Sequence, residues 1–476
     1  MAANFKNFFI KYRKLLITVI IGLLIWFLPI KPAALSFQTW HLLAIFIATI
    51  IGCILQPLPL GAVSLIGMTV AILTNTLKLK SALSGFSSSV TWLVVAAFFF
   101  ARGFIKSGLG NKIAYLFIKT FGSNSLKLVY SLIGIDFILA PATPSNTARA
   151  GGIIFPLAKS LSEAYDSDPN KGTQKKLGSF LIFASYHGNI ITSTIFLTGA
   201  AVNLIGQAMA AKVGINISWF NYFLASFIPG IIALIVVPFI IYKIYPPEIK
   251  QTPNARKWAD KKLKQIGPMD TSQKKMLTIF VLALLFWITG SLTGISATAT
   301  AFMALSLLIL TNVINWDDVK SESGAWNTLI WFSILVMMAG QLNKLGFIPW
   351  LSHNISHLIA HHLPWFATMI VLFLANHYIH YFIASGSAQA TAVYLSFLGV
   401  AIAAGVPKMF AALMLMWSDR TMCSTTHYSN GAAPIFYGAG YVTQKKWWEM
   451  NAEIAWVYFI IWIGLGSLWL KIIGVF

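Results

Sequence analysis

The chain has 476 residues, 57% of them hydrophobic and only 10% charged. A soluble globule carries about 25% charged residues, so the composition excludes that class and defines a polytopic, all-α membrane protein. The net charge of +21 comes from 34 Lys and Arg against 13 Asp and Glu. These cations form no stripe for nucleic acid but gather in short loops at 6–14, 159–176 and 250–275, the pattern of cytoplasmic loops.

A first helix is expected near 15–30, after a basic N-terminus that the charge pattern places in the cytoplasm. No small-residue cleavage site follows it and no Arg/Ser-rich transit segment precedes it, which points to a bacterial plasma membrane. Spans follow near 38–55, 61–77 and 90–107, then an amphipathic stretch at 112–121 suited to the interface. The apolar run from 126 is cut by Pro141-Ala142-Thr143-Pro144-Ser145-Asn146-Thr147 and resumes to 161. Each arm falls short of the ~20 residues that cross a bilayer, so 126–161 reads as a re-entrant hairpin with its irregular tip buried in protein. A helix from 177 runs into Thr198-Gly199-Ala200-Ala201, an expected break, and 218–245 spans again before a basic loop at 246–273.

From 274 the series starts over. Spans are expected near 274–292, 296–313 and 325–343, then a His-rich interfacial segment and a second interrupted hairpin over 364–404, around Ser385-Gly386-Ser387. A further helix ends in Asn430-Gly431-Ala432-Ala433-Pro434, and the last span begins near 450. The total expected is about eleven transmembrane helices plus two re-entrant hairpins.

Four short matches recur in order. Leu73-Thr74-Asn75 and Leu310-Thr311-Asn312 lie 237 residues apart, Gly108 and Gly346 238, Ser145 and Ser385 240, and Gly199 and Gly431 232. The chain therefore reads as an N-terminal segment with a first helix at 1–37, a first repeat at 38–245, the loop at 246–273, and a second repeat at 274–476. An odd number of crossings per repeat inverts the second copy. Inverted repeats with broken helices place a substrate site at the bilayer midplane in many secondary transporters.

The tips carry uncharged donors: Ser145, Asn146 and Thr147 in the first, Ser385, Gly386 and Ser387 in the second. The paired breaks add Gly199 and Asn430-Gly431-Ala432. Hydroxyls, amides and the N–H groups of a starting helix suit an anion. Two such clusters, one per repeat, suit a small dicarboxylate.

Phe137 to Arg149 (FILAPATPSNTAR), His380 to Gln389 (HYFIASGSAQ) and Thr426 to Tyr441 (THYSNGAAPIFYGAGY) resemble the divalent anion/sodium symporter family. The likeness is greatest to its branch of citrate/succinate, tartrate/succinate and 2-oxoglutarate/malate exchangers and covers essentially the whole chain. It implies a homodimer with a scaffold domain and a transport domain that moves as an elevator. Ser387 stands where the branch has Thr, and Ser429-Asn430-Gly431-Ala432 depart from its Gly-Thr-Gly-Pro.

Ionisable residues inside the expected spans are Arg102, Asp136, Arg149, His187, His377, His380, Asp419, Arg420 and His427. Such groups are costly in a bilayer and commonly functional. Arg149 and His427 fall within a turn of the expected site, where fixed positive charge is expected to replace part of a sodium requirement and to favour exchange. The expectation is therefore exchange of malate, succinate, fumarate and 2-oxoglutarate with no cofactor. The alternative is sodium-coupled symport of a dicarboxylate or citrate, in which sodium ions would bind. A passive channel and a membrane enzyme built on His427 or the serines fit the sequence less well. Three histidines spaced by four, His353, His357 and His361, have no carboxylate or Cys beside them, and no metal site is expected.

Overall fold

The computed structural model describes residues 2–29, 31–351, 354, 363–383, 385–421, 424–428 and 430–476, with side chains from 13 onward except at 291. Among these residues the chain is helical throughout, with a single isolated strand-like pair, Asn124 and Gln251, outside the helices. Among the described residues, eight helices have the length and apolarity to cross a membrane. Two of them, Ser125–Ala142 and Gly386–Ala403, are arms of the interrupted segments. Leu60–Leu73 and Ala297–Leu310 are shorter apolar helices.

Local chemistry sets the helix ends. Ser36, Asn124, Ser218, Asp270, Ser296 and Thr443 each cap a helix by accepting an N–H of its first turn. Such caps satisfy donors that the first turn leaves orphaned. Asn315 and Asp318 form a reciprocal capping box. Asn75 and Asn312 leave their helices in the left-handed conformation, at φ 54° and 56°, and Gly108 and Gly346 do the same at 68° and 86°. Two of the sequence matches thus share their backbone geometry.

The chain divides into two compact units. One comprises Met1–Val95, Ile205–Asn216 and Ser323–Leu415; the other comprises Ala96–Leu204, Ile217–Glu322 and Met416–Phe476. Each unit draws on both sequence halves. Within the second unit the helix Gly178–Ile195 is buried at every position. It is not among the eight apolar helices because its inner turns carry Ser185, His187, Asn189, Thr192, Ser193 and Thr194. A helix enclosed on all faces needs no lipid-facing stripe, and Asn189, Thr192 and Ser193 find their partners in Asp136 and Arg149.

Candidate functional site

The first interrupted segment runs through Ser125–Leu139, tightens into a 3-10 turn at Ala140–Ala142, and becomes extended at Thr143. Pro141 and Pro144 lack the N–H groups that would continue the helix. Ser145 then caps a new start at Asn146–Arg149, its Oγ accepting the Ala148 N–H at 3.1 Å. A π-turn at Ala150–Ile154 follows before Phe155–Ala164. Pro156 accounts for it, because its ring cannot be accommodated by a regular i−4 bond to Gly152.

The second interrupted segment is built the same way 240 residues later. Trp365–Ile379 gives way to a 3-10 turn at His380–Phe382, an extended Ile383, and Ser385 capping Gly386–Ala403 through the Ala388 N–H at 3.3 Å. In both tips the outer hydroxyls are partly exposed (Ser145 and Thr147, Ser385 and Ser387), whereas the middle residues Asn146 and Gly386 are buried. The first turn also leaves the N–H groups of Asn146 and Thr147 without intrahelical acceptors. Among the expected site residues, these tips hold the groups available to an anion.

The remaining expected residues have other work. Gly199 is buried, its N–H donates to the Phe196 carbonyl at 2.8 Å, and its own carbonyl accepts from Arg149. The Asn430 amide oxygen accepts the N–H groups of Ala432 and Ala433 at 2.9 and 3.2 Å, while its Nδ2 donates to the Tyr186 hydroxyl at 3.0 Å. Gly199, Asn430 and Ala432 therefore shape the breaks from inside. Gly431 is exposed and lies directly against the Thr147 side chain, leaving no room for a Cβ.

The expectation of uncompensated positive charge needs correction at Arg149. Arg149 is fully buried, and its Nε donates to Asp136 Oδ1 at 2.9 Å, so the pair carries no net charge. Its Nη1 donates to the carbonyls of Thr143 and Gly199 at 2.6 and 2.8 Å, and its Nη2 to Ser193 Oγ at 2.7 Å. Asp136 also receives the Asn189 amide at 3.2 Å and the Thr192 hydroxyl. His427 Nδ1 accepts the Trp448 indole N–H at 3.1 Å. Indole nitrogen only donates, so Nδ1 is the acceptor in this contact, and the ring packs against Tyr437 and Tyr428.

The sequence reading missed Asn189, Thr192 and Ser193. Their 0, +3, +4 spacing on one helix face, polar within an apolar run, is the signal that could have found them. Of the other ionisable groups, buried His187 meets the Tyr458 hydroxyl at 2.9 Å, and the partly exposed Arg102 and exposed Lys106 both face Asp318. His353, His357 and His361 lie outside the described residues, among which no cluster of metal-ligating side chains occurs.

Interrupted helices with donor-rich tips, set in a chain of apolar spans, define a membrane carrier rather than an enzyme. The family model described as the sodium:sulfate symporter transmembrane region matches residues 10–476, and the chain belongs to this family of divalent anion:sodium symporters. It is 47% identical over 471 residues to YflS of Bacillus subtilis, a protein named for malate transport, covering 99% of this chain and 98% of that one. It is 45% identical to the chloroplastic dicarboxylate transporter 1 of Spinacia oleracea, covering 97% of this chain and 81% of the plant protein. Among solved structures, the YdaH transporter of Alcanivorax borkumensis aligns with a TM-score of 0.59 over 85% of this chain and 89% of its own. That match is 11% identical and speaks to the fold alone.

Proposed function

We propose that this protein exchanges C4 and C5 dicarboxylates such as malate, succinate, fumarate and 2-oxoglutarate across the bacterial plasma membrane, without sodium. The names of the relatives support the substrate class. The observation that carries the mode of transport is the Arg149 guanidinium seated on two backbone carbonyls and a serine hydroxyl. Those oxygens are the kind of ligand that an alkali cation would use. A tethered cation occupies them permanently and cannot be released to drive net uptake.

Two energies then favour exchange. Entry of a dianion against an inside-negative potential costs about 2.3 kcal/mol per charge for each 100 mV, or roughly 4.6 kcal/mol in all; swapping one dianion for another avoids it. An empty tip crossing an apolar region also leaves the Ser145 and Thr147 hydroxyls and the first-turn N–H groups without an acceptor, at about 1–3 kcal/mol each. Each interrupted hairpin thus serves as a carboxylate cradle that travels poorly when empty. The resemblance adds a homodimer and an elevator motion, and the basic loops support a cytoplasmic N-terminus.

The family description favours a second mode, sodium-coupled symport. Purified protein in liposomes separates the two. Vesicles loaded with unlabelled succinate are expected to take up labelled succinate at the same rate in sodium and in choline, and vesicles without internal dicarboxylate to take up little. Accumulation in empty vesicles down a sodium gradient would establish symport instead.

A further inference from the structure

The 240-residue offset that relates the two tips also relates Asp136 to Asn376 and Arg149 to Gln389. In the first hairpin Arg149 closes a 13-residue loop onto Asp136. In the second, Gln389 closes a 13-residue loop onto Asn376, its Nε2 donating to Oδ1 at 2.8 Å and to the backbone carbonyl at 2.7 Å. All four side chains are buried: Asp136 and Arg149 are 1% exposed, Asn376 2% and Gln389 1%. Each closure joins the last turn of the entering helix to the first turn after the tip.

The closing side chain also grips the strand of chain that leads into the tip. Arg149 does so at the Thr143 carbonyl, and Gln389 Oε1 does so at His380 Nδ1, 2.7 Å away. Gln389 Oε1 can only accept, so His380 is the donor in this contact. The repeat has kept the clasp and exchanged its chemistry, with an ion pair in one hairpin and an amide pair in the other. Neither clasp leaves a net charge in the protein interior, and that constraint is what allows one to replace the other.

We propose that Asn376 and Gln389 are positioning residues for the second tip: they hold Ser385 and Ser387 in place for a carboxylate without touching it. This rests on the proposed function, in which those two hydroxyls receive substrate.

A double-mutant cycle read by the half-saturating succinate concentration for counterflow tests it. Asn376→Ala and Gln389→Ala are each expected to raise that concentration about tenfold, because each leaves a buried polar partner unsatisfied. The maximal rate should change little. The double variant is expected to be no worse than either single one, since one broken clasp cannot be broken again. A product of the two single effects, or a maximal rate that falls with unchanged half-saturation, would overturn the clasp. If either alanine variant is not recovered as folded protein, Gln389→Asn and its combination with Asn376→Gln replace it. The single change is then expected to weaken binding and the second to restore it, and failure of the restoration counts against the proposal.

Ser385→Ala serves as the reference. Wild-type half-saturation in Gln389→Ala, with weakened binding in Ser385→Ala, rejects the clasp and leaves the proposed site intact. Wild-type half-saturation in Ser385→Ala rejects the site itself.

Discussion

Replacing Arg149 with Gln is expected to abolish measurable exchange and to lower the melting temperature of the purified protein. Removing the guanidinium strands the Asp136 carboxylate, 1% exposed, with the Asn189 amide and the Thr192 hydroxyl as its remaining donors among the described residues. Breaking a buried ion pair by deleting one partner costs about 3–5 kcal/mol, a hundredfold or more in any equilibrium that depends on the closed hairpin. The damage is not confined to the pair. Arg149 is also the bolt between the tip, through Thr143, and the break at Gly199, so the tip and the break lose their anchorage together. The double variant Asp136→Asn with Arg149→Gln removes both charges and reproduces the amide pairing used at 376 and 389. It should regain most of the lost melting temperature.

The same substitution separates two accounts of the guanidinium. If Arg149 stands in for a cation, its removal frees the Thr143 and Gly199 carbonyls and the Ser193 hydroxyl beside an unpaired carboxylate, a set of oxygens suited to sodium. The melting temperature of Arg149→Gln is then expected to rise on moving from choline chloride to sodium chloride, and that of the double variant to stay flat because its carboxylate is gone. A salt-indifferent single variant would reduce Arg149 to a structural tie. Wild-type exchange in Arg149→Gln would remove the residue from the mechanism altogether.

How much of this was legible beforehand differs from residue to residue. The break within 126–161 could be read because Pro141 and Pro144 exclude a continuous helix and Ser145 is a strong cap; these are short-range rules that no tertiary contact overrides. The partner of Arg149 could not. Asp136 sits 13 residues away, beyond any helical or turn spacing, and only the folded tip brings the two together. Sequence gave the sign of the charge but not its neutralisation, which is why Arg149 read as excess positive charge. The helix from 177 was legible, but the partners of Asn189, Thr192 and Ser193 were not, because Asp136 and Arg149 lie in no local window around them. Asn376 and Gln389 are unremarkable by composition and acquire meaning only through the repeat register.

Gly431→Ala is expected to raise the half-saturating succinate concentration about 10- to 100-fold, the equivalent of the 1–3 kcal/mol typical of overpacking. A Cβ built at Gly431 falls on Thr147 Oγ1 and comes within 3.1 Å of its Cγ2 and 3.2 Å of its Cβ. Thr147 cannot simply turn away. With two heavy atoms on Cβ its χ1 choices are few, and no rotation moves the Thr147 Cβ itself, 3.2 Å from the new methyl group. The tip itself must shift, carrying the Thr147 hydroxyl and the N–H groups of the first turn off the position of the carboxylate. Adding Thr147→Ser should recover a good part of the affinity, because serine keeps the hydroxyl and loses the methyl that blocks its rotation. Ser387, the counterpart of Thr147 at the 240-residue offset, already has that form. Thr147→Ser alone is expected to bind succinate nearly as well as the wild type, so a rescue can be credited to relieved crowding. Wild-type affinity in Gly431→Ala would show that the contact between Gly431 and Thr147 does not set the tip, and that the second break contributes nothing to the first cradle.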